Sequence, residues 1–256
     1  MDKSPVVAVV LGGSDRADPL AKEAGVAAKA LVPLGGKPMA SYVLEALRGS
    51  ASVSERIYVG KTTPDLHALA TQTLDSGDNL AESLSVGLSA AVMMQPRLVL
   101  AISADLPWLT ASTVDTFIEG ATQAAPEAAV VYPIIPREVA ERQFPGQKRT
   151  YVHLKEGAFT GGNAVLLEPR ILPTLLPFVN RAYEGRKNPL TLAGLVGGRF
   201  ALQLLLGRLR VTALERRISE VLTMSARAFQ SQDAALGADV DKPEHVSAFE
   251  AQNATQ

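Results

Sequence analysis

The chain has 256 residues, 47% of them hydrophobic and 20% charged, which is enough apolar material for one large core without forcing a second domain. It contains no cysteine, so a disulfide framework and a thiolate metal site are excluded, and any metal must be held by oxygen or by the three histidines. The formal net charge is −1, with acidic and basic residues spread along the chain, so composition supplies no reason to expect nucleic-acid or anionic-lipid binding and points to a small-molecule partner.

Val6 to Leu11 is a short β-branched run that ends at Gly12 and Gly13. It lacks the length and cleavage site of a signal peptide and reads as a buried first strand, and a cytoplasmic location is expected. Patterns of helix and strand then alternate. The spacing predicts a helix over 39–47 introduced by Pro38, a strand over 56–59, a helix over 80–94, an apolar strand over 98–102, a helix over 111–123 and a strand over 128–132. This βαβα order implies a Rossmann-like, three-layer α/β/α fold with a mostly parallel sheet, right-handed crossovers and a ligand crevice at the carboxyl ends of the strands. The proline-punctuated, basic stretch from Pro133 to Gly162 reads as an insertion carrying a hairpin or lid over the crevice. Residues 170–221 read as mostly helical, 226–230 and 238–240 as late edge strands, and Pro243 as the start of a last helix. The apolar run around 201–209 is too short to span a bilayer and suits a core or homodimer helix.

Five motifs carry chemistry. In the first, Leu11-Gly12-Gly13 leads into a polar loop with Arg16, Lys22 and Lys29, followed by Leu34-Gly35-Gly36-Lys37-Pro38. Paired glycines let backbone amides approach a polyphosphate, and cations on the loop offset the charge that builds up as pyrophosphate departs. With Lys29, Leu31, Leu34, Gly36, Lys37 and Pro38 in place, the segment resembles K-x-L-x-x-L-x-G-K-P of the MobA-like NTP transferases, a family that includes molybdenum-cofactor guanylyltransferase-like and sugar-phosphate nucleotidyltransferase-like enzymes. Leu11 to Arg16 is shorter than the family's L-A-G-G-x-G-x-R and lacks its third glycine. The resemblance implies the nucleotide-diphospho-sugar transferase (GT-A-like) fold, with Leu11, Gly12, Gly13, Arg16 and Lys29 at the nucleotide.

The second motif is a strand that delivers Asp105, with Pro107 halting further pairing. A carboxylate there suits Mg²⁺, which takes one or two protein carboxylates beside phosphate oxygens; capping of the following turn is the other reading. The resemblance is to the family's strand-D-x-P segment, whose aspartate binds the metal. The third, Ser83 and Gly87, is similar to the family's S-x-x-x-G on a helix lining the nucleotide pocket, although Gly87 also suits a close helix contact and Asn79 an N-cap. The fourth, Gly161-Gly162-Asn163, permits close ligand approach with an uncharged donor and acceptor, or else makes a tight turn. The family resemblance implies that Gly162 and Asn163 meet the acceptor. The fifth is Asp239 and Asp241, which share a face if the segment is extended. It resembles the family's closing D-x-[DN]-x-P-E, which implies Asp241 as a second metal ligand, whereas Asp241 could instead cap the last helix.

Lys148, Arg149, Lys155, Arg186 and Lys187 could receive an anionic acceptor, Lys148 and Arg149 foremost, and His153 reads as structural. The expected function is a Mg²⁺-dependent nucleotidyltransferase, with Lys29 and Asp105 catalytic, moving a nucleoside monophosphate from an NTP to a small, phosphorylated acceptor with release of pyrophosphate. Alternatives are a nucleotide-sugar-dependent glycosyltransferase of the same fold and a non-catalytic nucleotide-binding protein.

Overall fold

The computed structural model describes residues 6–13, 18–185, 197, 198, 200, 203 and 207–253. In chain order, strand β1 (Val6–Leu11) leads to α1 (Pro19–Glu23), a 3₁₀ turn at Lys29–Leu31, the short hairpin of β2 (Pro33–Leu34) and β3 (Lys37–Pro38), and α2 (Met39–Gly49). Then come β4 (Val53–Val59), α3 (Pro64–Leu69), β5 (Gln72–Leu74), α4 (Leu80–Met93), β6 (Leu98–Ser103) and α5 (Ala111–Ala124). The second part holds β7 (Val130–Pro136), α6 (Arg137–Gln143), β8 (Val152–Leu154), β9 (Gly157–Gly161), β10 (Ala164–Leu167) and α7 (Leu172–Gly185). It closes with α8 (Val211–Leu222), β11 (Ala226–Gln230), a 3₁₀ turn at Ala234–Gly237 and α9 (Pro243–Asn253).

Among the described residues the main sheet has nine strands, ordered β5-β4-β1-β6-β10-β7-β9-β8, with β11 added alongside β7. β1 is parallel to both β4 and β6, while β10 runs antiparallel to β6 and β7. The chain therefore leaves β1 toward β4 and β5, then returns to place β6 on the other side of β1. That reversal makes the carboxyl ends of β1 and β6 the switch point where an open α/β sheet binds ligands.

β1 is buried because helices cover both faces of the sheet. On one face α2 buries Ala40, Val43, Leu44 and Leu47, a helical stripe, and α5 adds Val114, Phe117 and Ile118. At roughly 1.5–3 kcal/mol for each large apolar side chain removed from water, these stripes rather than helix propensity hold the layer. On the other face α4 comes close enough that a Cβ added at Gly87 would clash with Val9 Cγ1 and lie 2.9 Å from Val59 Cγ2. Gly87 is thus a packing glycine. Asn79 caps α4 by accepting from Glu82 N at 3.0 Å, and the Glu82 carboxylate reaches back to Asp78 N at 2.9 Å.

Three expectations are corrected. The stretch from Pro133 does not break the pattern: β7 continues to Pro136, with Pro133 using its carbonyl to accept from Gly162 N at 2.9 Å. The expected hairpin exists as β8 and β9, yet it extends the main sheet through β7–β9 pairing. Residues 238–240 are not an edge strand; their alternation of apolar and acidic residues belongs to a loop whose Val240 amide donates to the Asp105 carbonyl at 3.1 Å. Of the expected helical region 170–221, α7 and α8 are observed, and its middle lies largely outside the described residues.

Candidate active site

β1 and β6 end side by side, and the Ala104 amide donates to Leu11 O at 3.1 Å, so the glycine loop and the Asp105 loop emerge together. Gly12 donates to Val59 O at 2.8 Å, and a Cβ there would clash with the Tyr58 hydroxyl. Only glycine lets the loop lie so close to β4. Gly13 is exposed and has φ +80°, a conformation that glycine adopts without strain. Arg16 lies outside the described residues, and Lys22 is exposed on α1.

Three carboxylates converge here. Oxygens of Asp105, Asp239 and Asp241 all lie within 4.8 Å of one another. Lys29, the first residue of its 3₁₀ turn, donates to Asp105 Oδ2 at 2.6 Å and also to Asp241 Oδ1. The Lys29 side chain is 17% exposed, as is that of Asp105, against 56% for Asp241. Ser103 donates its hydroxyl to the other oxygen of Asp105. Lys29 thus holds both Asp105 and Asp241, and Ser103 holds Asp105 as well.

The electrostatics follow from this crowding. Burial alone would lower the Lys29 ammonium, but the charges and hydrogen bonds of Asp105 and Asp241 outweigh it and hold the lysine well above its usual range. Asp239 is pushed above the usual carboxylate range, first by burial and then by Asp241 and Asp105 beside it. For Asp241, burial raises and Lys29, Asp239 and His245 lower, and the net direction is down. One ammonium thus leaves surplus negative charge among three hard oxygen donors, a donor set that fits a hard divalent cation such as Mg²⁺.

The insertion reaches the same place. Gln147 Nε2 donates to Asp239 O at 2.9 Å, while Arg149 donates to Gly237 O at 2.5 Å and to Gln147 Oε1 at 2.7 Å. Arg149 thereby ties the insertion to the Asp239 limb; Lys148, Lys155 and His153 are exposed. Gly162 is buried with its carbonyl accepting from the Tyr132 hydroxyl at 2.8 Å, and Asn163 bridges Leu236 O (2.7 Å) and Ser103 N (2.9 Å) through its backbone. The half-buried Asn163 is therefore anchored beside the Asp105 strand. Ser83 is fully buried in α4 with its hydroxyl bonded to Asn79 O at 2.9 Å. Arg186 and Lys187 lie outside the described residues.

A family model described as the MobA-like NTP transferase domain matches residues 8–190, from within β1 past the end of α7. The chain belongs to this family. A solved structure of a hypothetical transferase from Thermus thermophilus is 40% identical, covering 95% of this chain and 99% of its own, with TM-score 0.85. At 15% identity, two structures share the fold: a CMP:2-keto-3-deoxy-manno-octonic acid synthetase complexed with CTP (TM-score 0.61, 98% and 99% covered) and a 2-C-methyl-D-erythritol 4-phosphate cytidylyltransferase from Thermus thermophilus (TM-score 0.55, 97% and 98% covered). No curated protein matches the chain. This MobA-like NTP transferase is accordingly a nucleotidyltransferase of the nucleotide-diphospho-sugar transferase fold, and among its described residues no helix is long and apolar enough to cross a membrane.

Three residues of this candidate site lie outside the five motifs' functional assignments. Ser103 carried a signal, since it lies two residues before Asp105 at the end of an apolar strand. Gln147 carried none, because the carbonyl it holds lies 92 residues further on, whereas His245 holds the Asp241 amide only four residues away and was within reach of a local reading.

Proposed function

We propose that this MobA-like transferase moves a nucleoside monophosphate from an NTP to a small phosphorylated acceptor, releasing pyrophosphate, at the Asp105–Asp239–Asp241 cluster. The observation that carries the reading is Lys29 bridging Asp105 and Asp241 where β1 and β6 end, directly beside the Gly12–Gly13 loop.

An acceptor oxygen attacks the α-phosphorus, the bond from that phosphorus to the bridging oxygen of the β-phosphate breaks, and pyrophosphate leaves with the electron pair. No protein nucleophile is required. Gly12 and Gly13 admit the phosphates close to the backbone, and the space where a Gly13 Cβ would stand is open. Lys29 supplies fixed positive charge next to the phosphates and holds the Asp105 and Asp241 limbs in one place, so that positioning and electrostatics carry the rate. Asp105 and Asp241, with Asp239 beside them, would hold Mg²⁺, which supplies charge neutralisation and orientation of the triphosphate when bound.

The test is pyrophosphate release from each common NTP with Mg²⁺, against pooled phosphorylated metabolites, for wild type and Asp105→Ala. Release that needs one NTP, one pool and Asp105 is expected. A folded Asp105→Ala protein with full activity would overturn the assignment.

A further inference from the structure

A cleft of about 250 Å³ opens between Trp108 in the β6–α5 loop, Phe144 and Gln147 after α6, and Glu244, His245 and Ala248 on α9. Its walls are the limbs that carry the carboxylates. Trp108 follows Asp105 in one loop, Gln147 holds Asp239 O, and His245 Nδ1 accepts the Asp241 amide at 3.2 Å. Among the described residues, no wall belongs to the glycine loop, to the Lys29 segment or to β4. The cleft therefore adjoins the acidic cluster on a side the nucleotide's phosphates do not occupy in the proposed function, on which this inference rests.

The lining chemistry is specific. The Trp108 and Phe144 rings meet edge to face, centroids 5.2 Å apart at 67°, and Trp108 is backed by Phe249 at 5.3 Å and 71°. Phe144 is itself held under the Arg149 guanidinium, 5.7 Å from its centroid. Aromatic walls fixed from behind present a flat, partly apolar surface to a ring. Among the described residues lining the cleft none is a lysine or arginine, and Glu244 contributes negative charge, so a phosphate is disfavoured there. With Nδ1 engaged by the Asp241 amide, His245 has its Nε2–H left to donate to a ligand.

We infer that this cleft is a subsite for the non-phosphorylated part of the acceptor, and that this part is an uncharged ring with a hydrogen-bond acceptor on its edge. A heteroaromatic ring and the flat face of a sugar share this chemistry. The acceptor's reacting oxygen would lie toward Asp241 and its ring against Trp108.

Trp108 is the chain's one tryptophan, so its emission reports on the cleft. The full chain with Mg²⁺ is titrated with nicotinamide, with methyl β-glucopyranoside and with inorganic phosphate, each with and without saturating NTP. The expected result is a saturable change with at least one ring probe, retained with NTP present and abolished in Ala248→Leu; which probe responds names the kind of ring. Ala248 is exposed on its helix and leucine is a good helix former, so this cleft-filling variant keeps the fold. Displacement of the ring probe by NTP would make the cleft part of the nucleotide site, and a saturable response to inorganic phosphate alone, or to no ring probe, would equally overturn the inference. In pyrophosphate release, Ala248→Leu is expected to raise the acceptor KM at least about tenfold with NTP affinity unchanged; an unchanged KM would also overturn it. A wild type that releases no pyrophosphate with any pool would remove the transferase reading instead, while the ring titration still decides whether the cleft binds a ring.

Discussion

The backbone amide of Val240 donates to the backbone carbonyl of Asp105 at 3.1 Å, joining the loop after β6 to the loop before α9. A main-chain bond between two acidic limbs fixes their separation independently of side-chain charge. Neutralising one carboxylate should therefore change chemistry more than fold. Asp105→Asn is expected to lower kcat at least about 10²-fold with little change in melting temperature, since the lost charge faces the reacting phosphates. Asp241→Asn is expected to cost less, because its side chain is 56% exposed against 17% for Asp105 and water can take over part of its role. Pyrophosphate release and thermal melts on both variants check the order; a larger loss at Asp241 would contradict it.

Crowding of three carboxylates around one ammonium gives a prediction that needs no substrate. Mg²⁺ binding to the folded cluster but not to the unfolded chain adds stability by mass action, about 1.4 kcal/mol at ten times its Kd, or a rise of about 2–6 °C in melting temperature. The rise should saturate with Mg²⁺, vanish on chelation and be lost in Asp105→Asn. A melting temperature indifferent to Mg²⁺ up to several millimolar would exclude these three aspartates as its ligands.

Gly87 tests the packing beneath the site. A Cβ added there would run into Val9 Cγ1, a contact that neither the helix nor the central strand can relieve without moving. Gly87→Ala is expected to destabilise the protein by about 1–3 kcal/mol through overpacking, despite alanine's better helix propensity. Adding Val9→Ala removes the clashing methyl, so the double variant should be more stable than the sum of the single changes implies. Denaturant midpoints on the four proteins of this cycle measure the coupling, and simple additivity would show that α4 shifts freely over the sheet.

What could be read in the residues themselves was whatever depended on local pattern. Val6–Leu11 and the strand from Leu98 were legible as buried strands, since apolar runs ended by glycine or by Asp-Leu-Pro leave few alternatives, and the motifs singled out Lys29, Asp105 and Asp241, three residues that the fold brings into contact. The 238–240 loop was misread because alternating apolar and acidic residues look the same whether the partner is a ladder of amides or one distant carbonyl. β7 was cut short because Pro133 normally weakens a strand, and only its neighbours Gly162 and Phe229 show that its carbonyl and register are still in use. Gln147 was invisible for a related reason, as the carbonyl it holds belongs to Asp239, whose approach is a property of the fold; His245, four residues after the Asp241 amide it bonds, was a local contact that its pattern did not advertise.

Asp115 supplies a stability test remote from the chemistry. On α5 it accepts from Ser50 Oγ at 2.6 Å, Ala51 N at 3.1 Å and Ser52 N at 3.0 Å, fastening the turn between α2 and β4 to the neighbouring helix. Partial burial alone would raise its carboxyl, but these hydrogen bonds outweigh it and the net direction is below the usual carboxylate range. A carboxylate with a depressed folded pKa stabilises fully above its unfolded value of about 3.9 and loses that contribution as pH falls through the folded value. Asp115→Asn keeps one acceptor oxygen and places an amide against donors, so it should cost about 1–2 kcal/mol at pH 7. The gap between wild type and variant should hold from pH 7 down to about 5 and narrow below pH 4. Urea unfolding of both proteins across that range measures it, and a gap that widens with acidity would mean that the ionised Asp115 is not what ties the turn to α5.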